Sequence, residues 1–324
     1  MTTKEKLLEW LDGNKGVYFS GEEIAKKLSI SRAAVWKAVK SLQNEGYAID
    51  AVTNKGYCLS EKTDILSAQG IQKYFHPTIP KMDISVLSSV SSTNAAVREK
   101  ANQGAKEGLI LLANAQTSGR GRFGRSFFSP EDTGIYMSLL LRPKSYTAEQ
   151  AVGITTMAAV AVCEAIEAVS TERAEIKWVN DIFVRGKKVC GILTEASFDL
   201  ENGMVEYSVL GVGINVYPPE SGFPHEMETV AGSIFHTRQN DAKNRLVAEF
   251  INHFYAYYTA QDRSEYVARY RARSLVIGKQ VKLISANESK QALVLGIDDR
   301  CRLLVRDADG KEACYASGEI SICI

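Results

Sequence analysis

Cysteine is scarce and unpatterned. Six residues (Cys58, Cys163, Cys190, Cys301, Cys314 and Cys323) are scattered through 324, with no CxxC pair. That excludes a small secreted, disulfide-stapled protein and reads as reduced thiols in a cytoplasmic one. Charge of one sign is also lacking, since 39 basic residues face 38 acidic ones. A net charge of +1 gives no global affinity for nucleic acid or membrane, so any basic patch has to be local. The first residues, MTTKEKLLEW, lack the apolar core of a signal peptide. The most apolar helical stretch, Ala151 to Val169, is broken by Thr155, Thr156, Glu164 and Glu167, which argues against a membrane span. There is no internal repeat and no low-complexity stretch. What is present is ordinary: 45% hydrophobic and 24% charged residues exclude a largely disordered chain. At about 150 residues per domain, the length predicts two or three domains.

Three segments differ in pattern. In residues 1–60, Leu7, Leu8 and Leu11 fall at helical spacing before a break at Gly13 to Gly16. Ser20 followed by Glu23 predicts a capped helix with Ile24, Ala25 and Leu28 as its apolar stripe. Ser31 caps a second helix that stops at Gly46. Two alternating runs around Thr53-Asn54-Lys55-Gly56 predict a hairpin. This is the layout of a winged helix-turn-helix. The segment holds nine basic against seven acidic residues, a modest excess. Ser31, Arg32, Lys37 and Lys40 lie on or beside the second helix, and Asn54 and Lys55 on the hairpin tip, where DNA contacts would fall. A small protein-interaction module with solvated charges is the alternative. Val35, Val39 and Leu42 read as core, and Trp36 fits either core or contact.

The middle segment alternates strand-like runs (ISVLSSV, GLILLANA, GIYMSLLL, EIKWV, DIFV, VEYSVLGVGINV) with helices at Thr93 to Gln103, Ala148 to Val169, and Asp241 to about Arg273. The remaining fifty residues are short strands with an Asp309-Gly310 turn, as in a small SH3-type barrel. The expected fold class is therefore α+β in three domains: a winged helix-turn-helix over 1–62, a mixed α/β domain over 63–272, and an SH3-like β-barrel over 273–324.

Gly119-Arg120-Gly121-Arg122-Phe123-Gly124 matches GxGxxG, yet no helix pattern follows and residues 135–145 carry no acid, so a dinucleotide fingerprint is rejected. Arg120, Arg122 and Arg125 stand on a glycine frame with no acid between Glu107 and Glu131. Such arginines suit polyanions, because each guanidinium can fork onto phosphate or carboxylate oxygens. A basic surface loop touching nucleic acid is the other reading. Ser91-Ser92-Thr93-Asn94 opens a helix and either grips a polar head group or serves only as its cap. In Lys177-Trp178-Val179-Asn180-Asp181, alternation sets Lys177 and Val179 on one face and Trp178 on the other. Lys177 there either stabilises an anion in a pocket or caps its strand.

SSTN, QTSGRGRFGRSFFSP, KWVNDIFVRGKKVCGILTE and GVGINV occur in the order and spacing of the biotin–protein ligases, which the chain resembles over essentially its whole length. With the winged module in front and the small barrel behind, it is similar to the bifunctional type, the BirA family, which also represses biotin genes. One departure is Val179, where the family commonly has proline; it leaves Lys177, Asn180 and Asp181 in place and is expected to loosen the local turn. The resemblance implies that biotin and ATP give biotinyl-5′-AMP and pyrophosphate, and that a lysine of a carboxyl-carrier protein of a biotin-dependent carboxylase then takes the biotin. It implies Ser92, Thr93, Asn94, Gln116, Arg120, Gly121, Arg122 and Lys177 as biotin-binding residues. Arg120, Arg122, Lys177, Asn180 and Asn215 would hold the adenylate or ATP, and Lys177, Arg122 and Arg120 would act in catalysis. Phe223 is a candidate adenine-stacking ring. Mg²⁺ is expected without assignable ligands, operator DNA and an adenylate-promoted homodimer are expected partners, and no membrane is involved. A ligand-responsive transcription factor without ligase activity, and a lipoate-type acyl ligase, are the alternatives.

Overall fold

The computed structural model describes residues 2–44, 46–61, 63–144, 146–199, 201–284 and 289–322. The chain divides into two compact units, residues 1–75 with 237–248, and residues 76–236 with 249–324.

The first unit opens with α1 (Thr3–Asp12), α2 (Gly21–Leu28) and α3 (Arg32–Asn44), followed by the hairpin β1 (Ile49–Val52) and β2 (Gly56–Leu59) and the short α4 (Ala68–Gln72). The expected cap is present: Ser20 Oγ accepts from Glu23 N at 3.2 Å, while Ser20 N donates to the Glu23 carboxylate at 2.7 Å. Those bonds hold the Glu23 carboxyl below its ordinary value. Ser29 turns the chain in the left-handed region, and Ser31 Oγ caps α3 through Ala34 N at 3.1 Å. Leu7, Leu11, Ile24, Val35, Val39, Leu42 and Leu59 form the core, each at most 1% exposed. Burial of each stabilises by about 1.5–3 kcal/mol. Trp36 is 54% exposed and is no part of this core.

The same unit buries a polar cluster. Asp241, 3% exposed, takes Lys73 Nζ at 2.6 Å, Tyr74 Oη at 2.7 Å and Asn244 Nδ2 at 2.7 Å, with Lys15 Nζ at 3.6 Å. Lys73 also pairs with Asp12. Burial alone would raise the Asp241 carboxyl, but the bonds from Asn244, Lys73 and Tyr74 win and it lies below its ordinary value.

The second unit is built on a seven-stranded sheet. In chain order its elements are β3 (Asp83–Val90), α5 (Thr93–Asn102), β4 (Leu109–Gln116), β5 (Gly134–Leu141), α6 (Ala148–Val169), β6 (Ala174–Lys177), β7 (Asp181–Val184), β8 (Lys187–Phe198) and β9 (Val205–Asn215). The spatial order is β3-β4-β5-β9-β8-β7-β6, parallel only between β3 and β4. One face is covered by α5, through Val97 and Ala101 on Leu109, Leu111, Leu140 and Val209. Helix α6 packs on the other face, with Thr155 Oγ1 2.8 Å from Thr194 Oγ1. By length and composition Gln150–Val169 would suit a bilayer, but 67% of it is buried inside this fold, as in a core helix.

Three expectations need correction. The helix expected over Asp241 to Arg273 is two, α7 (Ala242–Thr259) and α8 (Ser264–Ala272). The Asp262 carboxylate accepts from Ser264 N at 2.9 Å and from its hydroxyl at 2.8 Å, which restarts the chain in a new direction. The run EIKWV is a strand only to Lys177, so the alternation does not reach Trp178 and Val179, and both are buried. Nor is the turn at Val179 loose: Tyr270 Oη donates to Val179 O at 3.0 Å, and Trp178 Nε1 donates to Cys301 O at 3.0 Å. The Trp178–Val179 peptide is cis.

After α8 come β10 (Gln280–Ile284), β11 (Ser289–Ile297), β12 (Leu303–Asp307), β13 (Glu312–Tyr315) and β14 (Glu319–Ile322). They form an antiparallel sheet in the order β13-β12-β11-β10-β14, the strand number and sense of a small SH3-type module. Five of the six cysteines are free thiols, and four of those are buried; Cys323 lies outside the described residues. Burial pushes the Cys301 thiol up to about 11, so it stays protonated.

Candidate active site

Register decides what meets at the end of the sheet. Val90 of β3 pairs with Gln116 of β4, which sets the Gln116 amide beside the start of α5. Gln116 Oε1 accepts from Thr93 N at 2.9 Å and from Thr93 Oγ1 at 3.2 Å, while Gln116 Nε2 donates to Ser129 Oγ at 3.0 Å. Ser138 of β5 lies beneath, its hydroxyl 2.8 Å from Thr93 Oγ1 and 2.6 Å from Asn94 Oδ1. Asn94 Nδ2 in turn donates to Glu195 at 2.8 Å. Ser92, Thr93 and Asn94 are all buried. Ser138 is level with Gly211 of β9, where a Cβ would stand 2.2 Å from Asn94 Oδ1. Only glycine leaves room for that amide.

Two residues along β9, Gly213 is level with Gly191 of β8, and the Phe127 ring rests on both. A Cβ at Gly213 would lie 2.6 Å from that ring. Tyr136 completes this wall; burial pushes its phenol up to about 12, so it remains a donor, to Pro130 O at 2.9 Å.

The arginine loop forms a hydrogen-bonded turn. Gly121 N donates to Arg125 O at 2.7 Å and Phe127 N to Gly119 O at 2.9 Å, around a single turn of 3₁₀ helix at Arg122–Gly124. Phe123 sits at φ 56° and is 67% exposed. Arg122 Nη1 donates to Asn180 Oδ1 at 3.0 Å, and Asn180 Nδ2 donates to Ile192 O at 2.9 Å. The loop is thus tied to the turn after Lys177.

These parts enclose a cavity of about 230 Å³. Ser92, Thr93, Asn94, Gln116, Arg120, Gly121, Arg122, Lys177 and Asn180 all line it, so nine of the ten sequence-picked residues meet in one place. Asn215 is not among the lining residues; its amide donates to Gly232 O at 3.0 Å. Phe223 is not among them either. The sequence reading missed Lys188, which lines the cavity with its Nζ 2.6 Å from Asp181, and it missed the Gly191, Gly211 and Gly213 floor. Alternate glycines inside a strand were the available signal for the floor. Asp181 is the one carboxylate among the lining residues. The lining therefore combines neutral hydrogen-bonding groups (Thr93, Asn94, Gln116), an apolar ring over glycines (Phe127 on Gly191 and Gly213) and the cations Arg120, Arg122, Arg125, Lys177 and Lys188.

On the first unit, Ser31, Arg32, Lys37, Lys40, Asn54 and Lys55 are all exposed. Lys55 Nζ lies 5.7 Å from the centre of the Tyr18 ring.

Across 320 residues the chain is 33% identical to the bifunctional ligase/repressor BirA of Bacillus spizizenii, with 98% of each chain covered. The chain belongs to the BirA family. The Escherichia coli BirA is 28% identical over 317 residues, with 95% of this chain and 94% of that one covered. Three family models match in turn: an HTH domain over residues 3–58, the biotin/lipoate A/B protein ligase family over 86–215, and a biotin protein ligase C-terminal domain over 276–322. In fold, the biotin protein ligase from Aquifex aeolicus in complex with biotin and ATP is similar with a TM-score of 0.61 at 25% identity, covering 74% of this chain and 98% of that chain. The BirA-type ligase segment contains every cavity residue except Val230, Gly318 and Ile320, and the last two fall in the C-terminal domain.

Proposed function

We propose that this BirA-family chain makes biotinyl-5′-AMP from biotin and ATP, transfers the biotin to a lysine of a carboxyl-carrier protein, and represses biotin genes by binding operator DNA. The carrying observation is that one cavity brings together hydrogen-bonding, apolar and cationic groups. Biotin has a ureido head that needs hydrogen bonds, an apolar thiophane ring and a carboxylate tail, in that order. Thr93, Asn94 and Gln116 suit the head, and Phe127 over Gly191 and Gly213 suits the ring. Arg120, Arg122, Lys177 and Lys188 suit the carboxylate and phosphate oxygens. A lipoyl head is apolar and makes no use of the hydrogen-bonding groups.

In the first step a biotin carboxylate oxygen attacks the α-phosphorus, and the bond to the departing pyrophosphate breaks. In the second, the acceptor amine attacks the acyl carbon, AMP leaves, and the amine loses a proton as the amide forms. No side-chain nucleophile is required; the cations hold the reactants in line and oppose the charge that develops. Arg122, braced by Asn180, is placed to retain the adenylate between the steps. For Mg²⁺, Asp181 is already engaged by Lys188, and no group of three or more His, Cys, Asp or Glu gathers among the described residues. The ion would come in on the triphosphate oxygens of ATP.

Three functional domains, 1–62, 63–272 and 273–324, would carry DNA binding, ligation and completion of the pocket. Free thiols favour the cytoplasm. A palindromic operator needs two winged modules, so an adenylate-promoted homodimer is part of the proposal. The test is pyrophosphate release and biotinyl-AMP formation by the purified protein given ATP with biotin or with lipoate. Biotin-dependent release supports the reading. Release only with lipoate, or none with either acid, overturns it.

A further inference from the structure

The exposed indole on the DNA-binding unit is unexplained by folding. Trp36 is 54% exposed, whereas Val35, Ala38, Val39 and Leu42 on the same helix fill the core without it. Arg32 and Lys40 lie four residues to either side, on the same ridge of α3. At 1.5 Å per residue these two cations are about 12 Å apart along the helix. That is close to the width of the major groove of B-DNA, about 12 Å. The sequence Arg32 to Asn44 contains no acid, so nothing on this helix repels a phosphate.

On the reading that this unit binds operator DNA, we propose that Trp36 reads the methyl group of a thymine in each operator half-site. Trp36 falls in the first half of α3, and the early residues of a recognition helix are those that reach base edges. An indole offers an apolar face and a single donor and cannot accept a hydrogen bond. The apolar feature that a base pair shows in the major groove is the thymine C5-methyl, so that is the group an indole face selects. Arg32, Lys37 and Lys40 bind phosphates on either side and fix the register without reading sequence.

The experiment removes the methyl and nothing else. Duplexes are enriched from a randomised pool with the full-length protein in the presence of biotin and ATP. Each thymine of the enriched duplex is then replaced in turn by deoxyuridine. At one position per half-site, wild-type binding weakens about four-fold, the worth of one buried methyl group. Trp36→Ala binds the thymine and uracil duplexes equally at that position, and Trp36→Phe keeps part of the difference. Lys40→Ala weakens every duplex uniformly and flattens the salt dependence while retaining the uracil penalty. A Trp36→Ala protein with the wild-type penalty at every thymine, or a wild type with none, overturns the inference. Failure to enrich any duplex refutes operator binding itself.

Discussion

Lys177 and Lys188 place two ammonium groups at one cavity, and only the first was legible in the sequence. Lys188 follows Gly186-Lys187 and looks like a solvated charge just after a turn. The pairing of β7 with β8 is what brings it level with Phe183 and within 2.6 Å of Asp181. Replacing either lysine by alanine is expected to slow single-turnover adenylation by about 10²–10³, the usual cost of removing one fixed charge-stabilising donor. Rapid-quench measurement of biotinyl-AMP checks this, and an unchanged rate for one variant assigns the chemistry to the other lysine. Arg122→Gly has a different expected signature. It removes the guanidinium held by Asn180, so adenylate should form but dissociate faster, with stray lysines becoming biotinylated. The half-life of the bound intermediate is the measurement, and a wild-type value would dismiss the retaining role.

At the scale of the element, β9 shows why motif reading stops short of geometry. GVGINV was recognisable as a string, but its glycines are explained by what crosses them, the Asn94 amide over Gly211 and the Phe127 ring over Gly213. Neither neighbour is near in sequence. Gly213→Ala should push Phe127 into the cavity and weaken biotin binding at least ten-fold with little change in global stability, to be checked by calorimetric titration and denaturant unfolding. The head of α7 makes a second case. Asp241, at φ 56°, precedes the helix and is held by Lys73 and Tyr74. Its carboxyl lies below the ordinary value near 3.8, so its contribution to stability is fully present above that pH and is lost as pH falls through the lower folded value. Asn tolerates the same backbone, so Asp241→Asn removes the charge alone. At pH 7 denaturant unfolding should show the variant less stable than wild type by about 3 kcal/mol, with that difference shrinking toward pH 3.

For the whole molecule, the three-part pattern was visible in the sequence because helix caps, turns and strand alternation are local. The gathering of residues 237–248 with residues 1–75 was not, since it rests on Lys15 and Lys73 meeting the Asp241 carboxylate, more than two hundred positions from the first of them, while Asp12 pairs with Lys73. Adenylate-driven association belongs to this scale too. Ordering residues around an anionic ligand costs roughly 1–2 kcal/mol each, and a ligand that supplies that cost leaves less for dimerisation to lose. Sedimentation equilibrium should show tighter self-association with biotinyl-AMP than without, and an association constant indifferent to ligand would remove this regulation while sparing the ligase assignment.

The C-terminal sheet is part of the pocket: Ile320 and Gly318 line it, and Cys301 O takes the indole hydrogen of Trp178. During synthesis, at about 5–20 residues per second, the stretch from Lys188 to Ile320 takes roughly 7–26 s to follow. Throughout that interval a nascent chain already carries every cationic side chain of the site but not the wall that closes it. A ribosome-bound or prematurely ended chain therefore has no finished chamber in which to keep a reactive anhydride. Competence to make a diffusible acylating agent arrives only with the strand that contains it.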